Sequence, residues 1–303
     1  MQDPLDILVD LSLFKGQSRD GFTISRLGGL TNLVYRVDIN ESSYLLRLPG
    51  KGTEEYIDRV AEAHDARAAA AVDVSAEVLY FDTDSGIMLA EYIDGVTLNQ
   101  ARFKDLASVT RSAQAFRRLH ASDVSFTKRF EVFEQIDEYL DLIGKLNADV
   151  PQGYEAVRDQ AAGVRELLEH HPAKLAPCHC DPLAENFIDT GERVYIIDWE
   201  YAGNNDPMWD LGDLSVEAAF DSEQDRVLLE SYFNGDVPAD QAGRMVVYKM
   251  LCDLLWTLWG VVQHANGNPA EDFWDYSVTR FNRCRALLAT SEFATALDAI
   301  RGE

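Results

Sequence analysis

The sequence predicts an α+β fold in which a β-rich N-terminal lobe precedes a larger, mainly helical lobe. Short runs rich in β-branched and aromatic residues alternate with turn residues up to Glu91, whereas helical periodicity dominates after Gly95. The chain has 303 residues, more than one average core usually holds, which favours two lobes. We therefore predict two domains, residues 1–93 and residues 94–303.

The N-terminal lobe contains five candidate strands that would form a small antiparallel sheet. They are Phe22–Leu27, Leu33–Ile39, Tyr44–Leu48, Val78–Phe81 and Ile87–Glu91. An alanine-rich, charged segment from Glu54 to Ala71 separates the third strand from the fourth. We predict that this segment is a helix packed against the sheet.

The C-terminal lobe begins with three candidate helices, Leu106–His120, Phe133–Leu146 and Tyr154–His170. Short candidate strands follow at Leu175–Cys178, Asn186–Asp189 and Val194–Ile197. The residues Thr190–Arg193 have the composition of a turn between the last two strands. The prediction is a helical lobe that carries one small hairpin.

The formal net charge of −25 sets up a negative field that repels phosphate backbones and anionic headgroups. We therefore expect neither a nucleic-acid partner nor a membrane partner. The acidity either serves solubility alone or attracts a cationic substrate. The N-terminus has no secretory pattern, and the apolar run Leu254–Val262 is too short to span a bilayer, so we expect a cytoplasmic protein. The sequence leaves open whether the chain forms a homodimer.

The tripeptide Cys178-His179-Cys180 has the residue types of a zinc site. No second closely spaced ligand pair follows it, and the four cysteines of the chain are too few for a disulfide framework. Ordinary buried thiols are therefore the favoured interpretation.

The segment from His179 to Asn186 has the His-x-Asp-x-x-x-x-Asn spacing of a kinase catalytic loop. Asp198 follows the next candidate hairpin, which can return the chain to Asn186. A carboxylate at Asp181 suits the orientation and deprotonation of an acceptor hydroxyl, and Asn186 and Asp198 offer hard oxygen ligands to Mg²⁺. Each residue alone could be a turn or capping residue, but the coupled spacing favours phosphoryl transfer.

Residues of the N-terminal lobe are candidates for nucleotide phosphate binding. A glycine-rich segment between two strands lets backbone approach phosphate oxygens; its candidate residues are Gly28, Gly29, Thr31 and Asn32. In the third strand, Arg47 occupies the place of a kinase phosphate-binding lysine, with Glu62 on the helix as its partner. Arginine can hold phosphate oxygens in a bidentate manner. Solvent-exposed roles for Arg47 and Glu62 are the alternative.

These motifs, in this order, resemble the bacterial choline/ethanolamine kinase family, within the aminoglycoside-phosphotransferase-like small-molecule kinases of the protein-kinase-like fold. The resemblance covers nearly the whole chain, including the segments Asp198–Tyr201, Asn205–Glu217 and Trp256–Trp259. It implies ATP and Mg²⁺ as cofactors and Asp181 as the base. It also implies Asn186 and Asp198 as metal ligands, and a backbone contact to adenine between Glu91 and Ile93.

The same resemblance implies an aromatic cage for a small cationic alcohol, formed by Glu217, Trp256, Trp259 and Tyr276, with Phe273 and Trp274 nearby. Ring faces and a carboxylate suit a cation that donates no hydrogen bonds. Without the resemblance, these aromatic residues would be assigned to the core. Choline, ethanolamine, thiamine and an aminoglycoside stay open as substrates, as does a non-catalytic choline or nucleotide sensor.

Overall fold

The computed structural model describes residues 3–27, 32–50 and 57–302 of the chain. A short helix, α1 (Pro4–Asp10), precedes an antiparallel sheet whose strand order is β1-β2-β3-β5-β4. The five strands are β1 (Thr23–Arg26), β2 (Leu33–Ile39), β3 (Ser42–Leu48), β4 (Val78–Phe81) and β5 (Met88–Glu91). The predicted sheet is therefore confirmed, with ends that shift by one or two residues.

The helix between β3 and β4 is α2 (Arg59–Ala71), which begins later than predicted. Asp58 has extended backbone angles, and its side chain accepts the N–H groups of Val60 and Ala61 as an N-cap. Residues 57 and 58 are therefore not helical, and the predicted start at Glu54 lies outside the described residues. The missed signal is the capping preference of Asp58.

The C-terminal lobe begins with the strand β6 (Val96–Thr97) and three helices, α3 (Leu106–His120), α4 (Val132–Leu146) and α5 (Tyr154–His170). Four short strands follow: β7 (Ala176–Cys178), β8 (Phe187–Asp189), β9 (Val194–Ile196) and β10 (Gly203–Asn205). The predicted hairpin consists of β8 and β9. The strand β6 pairs with the edge of β8 that faces away from β9. The strand β7 pairs with β10, a strand that the sequence analysis did not predict.

Five helices complete the lobe: α6 (Pro207–Glu217), α7 (Ser222–Phe233), α8 (Ala239–Ala265), α9 (Phe273–Leu288) and α10 (Ser291–Arg301). Helix α8 packs against α4, α6, α9 and α10 and is the centre of the lobe. Within the described residues, it is long and apolar enough to cross a membrane, yet 83% of its most apolar stretch is buried inside the protein. The run Leu254–Val262 belongs to this core helix.

Each lobe has its own hydrophobic core. Helix α1 covers the N-terminal sheet with Ile7 and Leu8, which pack with side chains of β2, β3 and β5 such as Leu46 and Leu89. A larger core joins the helices of the C-terminal lobe and also includes Ala66 and neighbouring alanines of α2. The space between the two cores is the cleft that holds the candidate site. The domain boundary at residues 93 and 94 stays a prediction.

Candidate active site

The loop that carries Asp181 follows β7 and is shaped by a carboxylate of α6. Asp210 accepts the backbone N–H groups of His179 (2.7 Å) and Cys180 (2.8 Å), and His120 Nε2 lies 3.0 Å from the same carboxylate. These bonds hold Cys180 at a φ of 67°, in the left-handed region that non-glycine residues rarely adopt. Sequence reasoning missed Asp210, although it lies within the quoted segment Asn205–Glu217.

His179 joins this loop to the end of the hairpin. Its Nδ1 accepts the backbone N–H of Asp181 (3.3 Å), so Nε2 carries the proton and donates to the carbonyl of Ile197 (2.9 Å). Burial lowers the pKa of His179, which keeps the ring neutral in this role. Asn186 Nδ2 donates to the Asp181 carbonyl oxygen at 3.1 Å. The three predicted catalytic residues, Asp181, Asn186 and Asp198, therefore line one cavity.

Negative charge collects at the centre of this cavity. Burial raises the pKa of Asp181 well above its usual range, and the charge of Glu217 adds to the rise. Burial and then Glu200 raise the pKa of Asp198 to about 7, against the opposing charge of Arg47. Carboxylates in this environment are stabilised in their charged form by a bound cation.

On the sheet side of the cavity, Arg47 of β3 pairs with Glu62 of α2, as the sequence analysis predicted for these two residues. Arg47 Nη1 also donates to Asp198 Oδ1 at 3.2 Å. Its Nε and Nη2 are buried and have no hydrogen-bond partner among the described residues. Unpartnered buried guanidinium donors are costly, and phosphate oxygens would satisfy them in the bidentate geometry that arginine favours.

The donor set near Asp198 fits Mg²⁺. Carboxylate oxygens of Glu62, Asp198 and Glu200 all lie within 4.8 Å of one another. Because Asn186 uses its amide nitrogen to bond the Asp181 carbonyl, its amide oxygen is left as the ligand atom. Hard oxygen ligands in small number are what Mg²⁺ prefers. Sequence reasoning missed Glu200, two residues after Asp198, which also accepts from Arg59 at 2.7 Å.

The predicted phosphate loop is only partly described. Three of its four candidate residues lie outside the described residues: Gly28, Gly29 and Thr31. Asn32 is buried, and its amide nitrogen donates to Glu200 at 3.1 Å while its amide oxygen accepts from the backbone of Gly50. The Asn32 side chain therefore joins the residue before β2 to the C-terminal lobe, a contact that the sequence analysis did not predict.

The connector between the lobes forms one wall of the cavity, whose volume is about 620 Å³. The backbone N–H of Glu91 donates to Glu77 (2.9 Å), so it is already used within the sheet. Ile93 also lines the cavity, and no described residue hydrogen-bonds to its backbone. The backbone groups of Ile93, one of the two predicted adenine contacts, are therefore free of bonds to the described residues. Apolar side chains flank the same wall: Val34, Leu45, Met88 and Ala90.

The four predicted substrate residues line the C-terminal end of the same cavity: Glu217, Trp256, Trp259 and Tyr276. The Trp259 and Tyr276 rings meet edge to face at 5.6 Å, and Gly260 makes this possible because a Cβ there would lie 2.6 Å from Tyr276 Cδ1. Tyr201, which the sequence analysis quoted only within a motif, contacts Trp256 at 5.6 Å. The structure brings the predicted cage together.

Two further aromatic residues named for the cage have other positions. Phe273 is buried behind Trp259, with ring centroids 5.4 Å apart, and Trp274 is exposed beside His264. Neither lines the cavity. Phe273 therefore lies next to the cage, as expected, whereas Trp274 points away from it, because consecutive helical residues point in different directions.

Arg280 is the main residue of the cage that sequence reasoning missed. Its Nη2 donates to both carboxylate oxygens of Glu217, at 2.6 and 2.7 Å, and its guanidinium carbon lies 4.5 Å from the centroid of the Tyr276 ring. The spacing of four residues between Tyr276 and Arg280 on α9 was the available signal. No pattern along the chain indicated that Glu217 would be its partner.

The Cys178-His179-Cys180 segment has no zinc-like arrangement. Cys178 shares a cluster of possible ligand atoms with His120 and Asp210, but that carboxylate already accepts two backbone N–H groups. Burial raises the pKa values of both thiols well above their usual range, which disfavours the thiolate that zinc needs. The geometry favours buried thiols, in agreement with the sequence analysis.

Comparisons with known proteins agree on one family. A family model described as choline/ethanolamine kinase matches residues 24–231. A solved choline/ethanolamine kinase family protein from Mesorhizobium loti is 48% identical, and the alignment covers 99% of this chain and 98% of that one with a TM-score of 0.89. Choline kinase LicA from Streptococcus pneumoniae is 32% identical, with 88% and 93% of the two chains covered and a TM-score of 0.75.

Two further similarities concern the nucleotide and the fold. LicA has also been solved in complex with AMP, and in that comparison it is 31% identical over 88% of this chain and 91% of that chain, with a TM-score of 0.72. The aminoglycoside phosphotransferase APH(4)-Ia is 19% identical, with 94% and 98% of the chains covered and a TM-score of 0.64. At that identity, the likeness shows only a shared protein-kinase-like fold, which agrees with the predicted bilobal α+β architecture.

Proposed function

The chain belongs to the choline/ethanolamine kinase family, which makes it a phosphotransferase with an alcohol acceptor, and we propose that it transfers the γ-phosphoryl group of ATP to the hydroxyl of choline or ethanolamine. One observation carries the proposal. The cavity joins unpartnered guanidinium donors of Arg47, the Asp181–Asn186–Asp198 centre and an aromatic cage in a single continuous space. A nucleotide phosphate and a small cationic alcohol can therefore meet at the carboxylates.

Each part of the cavity has a role in this reaction. Asp181 orients the substrate hydroxyl and accepts its proton as the oxygen attacks the γ-phosphorus. Asn186 and Asp198 would hold Mg²⁺. The bound ion would neutralise negative charge on the phosphates. Arg47 donates to phosphate oxygens, and Glu62 keeps its guanidinium in place. The backbone at Ile93 offers hydrogen bonds to adenine.

The substrate head group lies among the rings at the other end of the cavity. Trp256, Trp259 and Tyr276 offer aromatic surface to a cation, which is attracted by the ring quadrupoles. A polycation such as an aminoglycoside needs more carboxylates and less aromatic surface than this cage has. That contrast favours a small monocationic alcohol over an aminoglycoside.

An ADP-release assay over choline, ethanolamine, thiamine and an aminoglycoside tests the proposal, with Mg²⁺ present and the Asp181→Asn variant as control. We expect ADP release that depends on choline or ethanolamine and is lost in the variant. Release only with thiamine or the aminoglycoside would assign the chain to another alcohol. Nucleotide or choline binding without any ADP release would indicate a sensor instead of an enzyme.

A further inference from the structure

The carboxylate of the cage is already neutralised by a cation of the protein itself. Arg280 and Glu217 are both nearly buried, with side-chain exposures of 6% and 9%, and they share two charge-assisted hydrogen bonds. The guanidinium also lies over the Tyr276 ring. Arg280 therefore already contacts a carboxylate and a ring face, the two kinds of group that a substrate cation would need. The pair therefore presents little net charge to the cavity.

A second carboxylate keeps Arg280 in this position. Arg280 Nη1 lies 3.4 Å from Asp253 Oδ1 on α8, and Arg283 Nε donates to the other oxygen of Asp253 at 3.0 Å. Two arginines and two carboxylates thus form one hydrogen-bonded group, and the carboxylate of Asp213 lies beside Glu217. Removal of Arg280 from Glu217 would leave a buried charge unpaired, which is strongly unfavourable. The ion pair is therefore a permanent part of the cage wall.

A cage wall without net charge should bind the head groups of choline and ethanolamine with different affinities. The primary ammonium of ethanolamine has three N–H donors, and a buried donor without an acceptor is costly. The quaternary ammonium of choline has no donors and needs only apolar and aromatic contacts. Both oxygens of Glu217 are already engaged by Arg280, and the indole N–H of Trp256 has no acceptor among the described residues. The head-group end of the cavity therefore offers ring faces rather than the oxygens of Glu217.

We propose that Arg280 is a specificity-determining residue that neutralises Glu217 and so makes the cage select quaternary over primary ammonium alcohols. This inference rests on the proposed function, because it assigns the head group to the same cage. Arg280 acts through Glu217, so its effect falls mainly on the Michaelis constants of the two alcohols. Turnover at saturation changes less, since Asp181 and the metal ligands are untouched.

The test compares kcat/KM for choline and ethanolamine in the parent protein, in Arg280→Met and in Arg283→Met. We expect the parent to prefer choline by roughly tenfold or more, as one unsatisfied buried donor would cause. Arg280→Met frees Glu217 to accept from a primary ammonium, so the preference should fall by roughly tenfold, mainly through a lower KM for ethanolamine. Arg283→Met is the matched control, because Arg283 bonds Asp253 but not Glu217, and it should keep the parental ratio.

A double variant, Glu217→Met with Arg280→Met, keeps the test informative if the single variant does not fold. It removes both charges of the pair and both acceptor oxygens, so it should retain the parental preference for choline. A parent that prefers ethanolamine, or an Arg280→Met variant with an unchanged ratio, would overturn the inference and leave the proposed function intact. No activity on either alcohol would overturn the proposed function and this inference with it.

Discussion

Arg47 of β3 donates from Nη1 to Asp198 Oδ1 at 3.2 Å and so links the N-terminal sheet to the residue that follows the hairpin of the helical lobe. The same Nη1 pairs with Glu62 of α2. One guanidinium therefore connects three segments that are far apart in the sequence. Its Nε and Nη2 have no partner among the described residues, so they are free to meet a phosphate.

We predict that Arg47→Lys raises the KM for ATP by roughly tenfold, because lysine keeps the charge but loses the planar fork that binds two phosphate oxygens. The KM for the alcohol should change little, since the cage lies at the other end of the cavity. Steady-state kinetics with each substrate varied in turn measures both constants. An unchanged KM for ATP would place the phosphates away from Arg47.

Asp181→Asn should lower kcat by roughly two to four powers of ten, the usual effect of losing an acid–base group. The amide keeps the shape of the side chain, and the loop is held by Asp210 through backbone N–H groups of other residues. Nucleotide binding, measured by calorimetry, should therefore be retained. Parental turnover in this variant would remove Asp181 from the proposed proton transfer.

Asp198→Ala should abolish the Mg²⁺-dependent part of nucleotide binding, because the metal loses an anionic ligand. The measurement is the dissociation constant of an ATP analogue with Mg²⁺ and with a chelator. In the parent protein we expect tighter binding with Mg²⁺, and in the variant we expect equal affinities. A variant that still responds to Mg²⁺ as the parent does would contradict the assignment.

The ring contacts of the cage predict a separate effect on the substrate cation. Cation–π attraction at a partly desolvated site is about 1–2 kcal/mol per ring, so Trp256→Ala or Trp259→Ala should raise the KM for choline roughly tenfold. Trp274→Ala is the matched control, because Trp274 lies on the surface beside His264 and does not line the cavity. A choline KM that responds equally to Trp274→Ala would argue against the cage.

All four cysteines are free thiols and buried, and burial raises the pKa of each of them. We therefore predict that a thiol reagent such as DTNB reacts slowly with the native protein and reacts with all four thiols after denaturation. Purified protein should also contain no stoichiometric zinc by metal analysis. About one zinc per chain, with a melting temperature that falls on chelation, would restore the metal-site interpretation.

Local patterns in the sequence predicted most of the elements. The periodicities of α3 and α5 matched their observed bounds, and the strands β2 and β4 were also predicted to the residue. The start of α2 was missed because a capping residue decided it, and β6 was missed because it is only two residues long. The strand β10 was missed because its sequence, Gly-Asn-Asn, has none of the β-branched or aromatic residues that indicate a strand. Both strands exist only through their partners.

The sequence by itself determined that Asp181, Asn186 and Asp198 would lie close together, because the spacing of Asp181 and Asn186 around one loop and of Asp198 after a hairpin is local information. Only the tertiary structure decided the charge of the cage. Glu217 ends α6 and Arg280 lies on α9, 63 residues later, so their contact depends on how both helices pack against α8. The bonds from Asp210 of α6 to the backbone of His179 and Cys180 likewise depend on tertiary packing. Spacing along the chain records which groups share a loop or a helix face, whereas the pairing of buried charges depends on packing between distant elements.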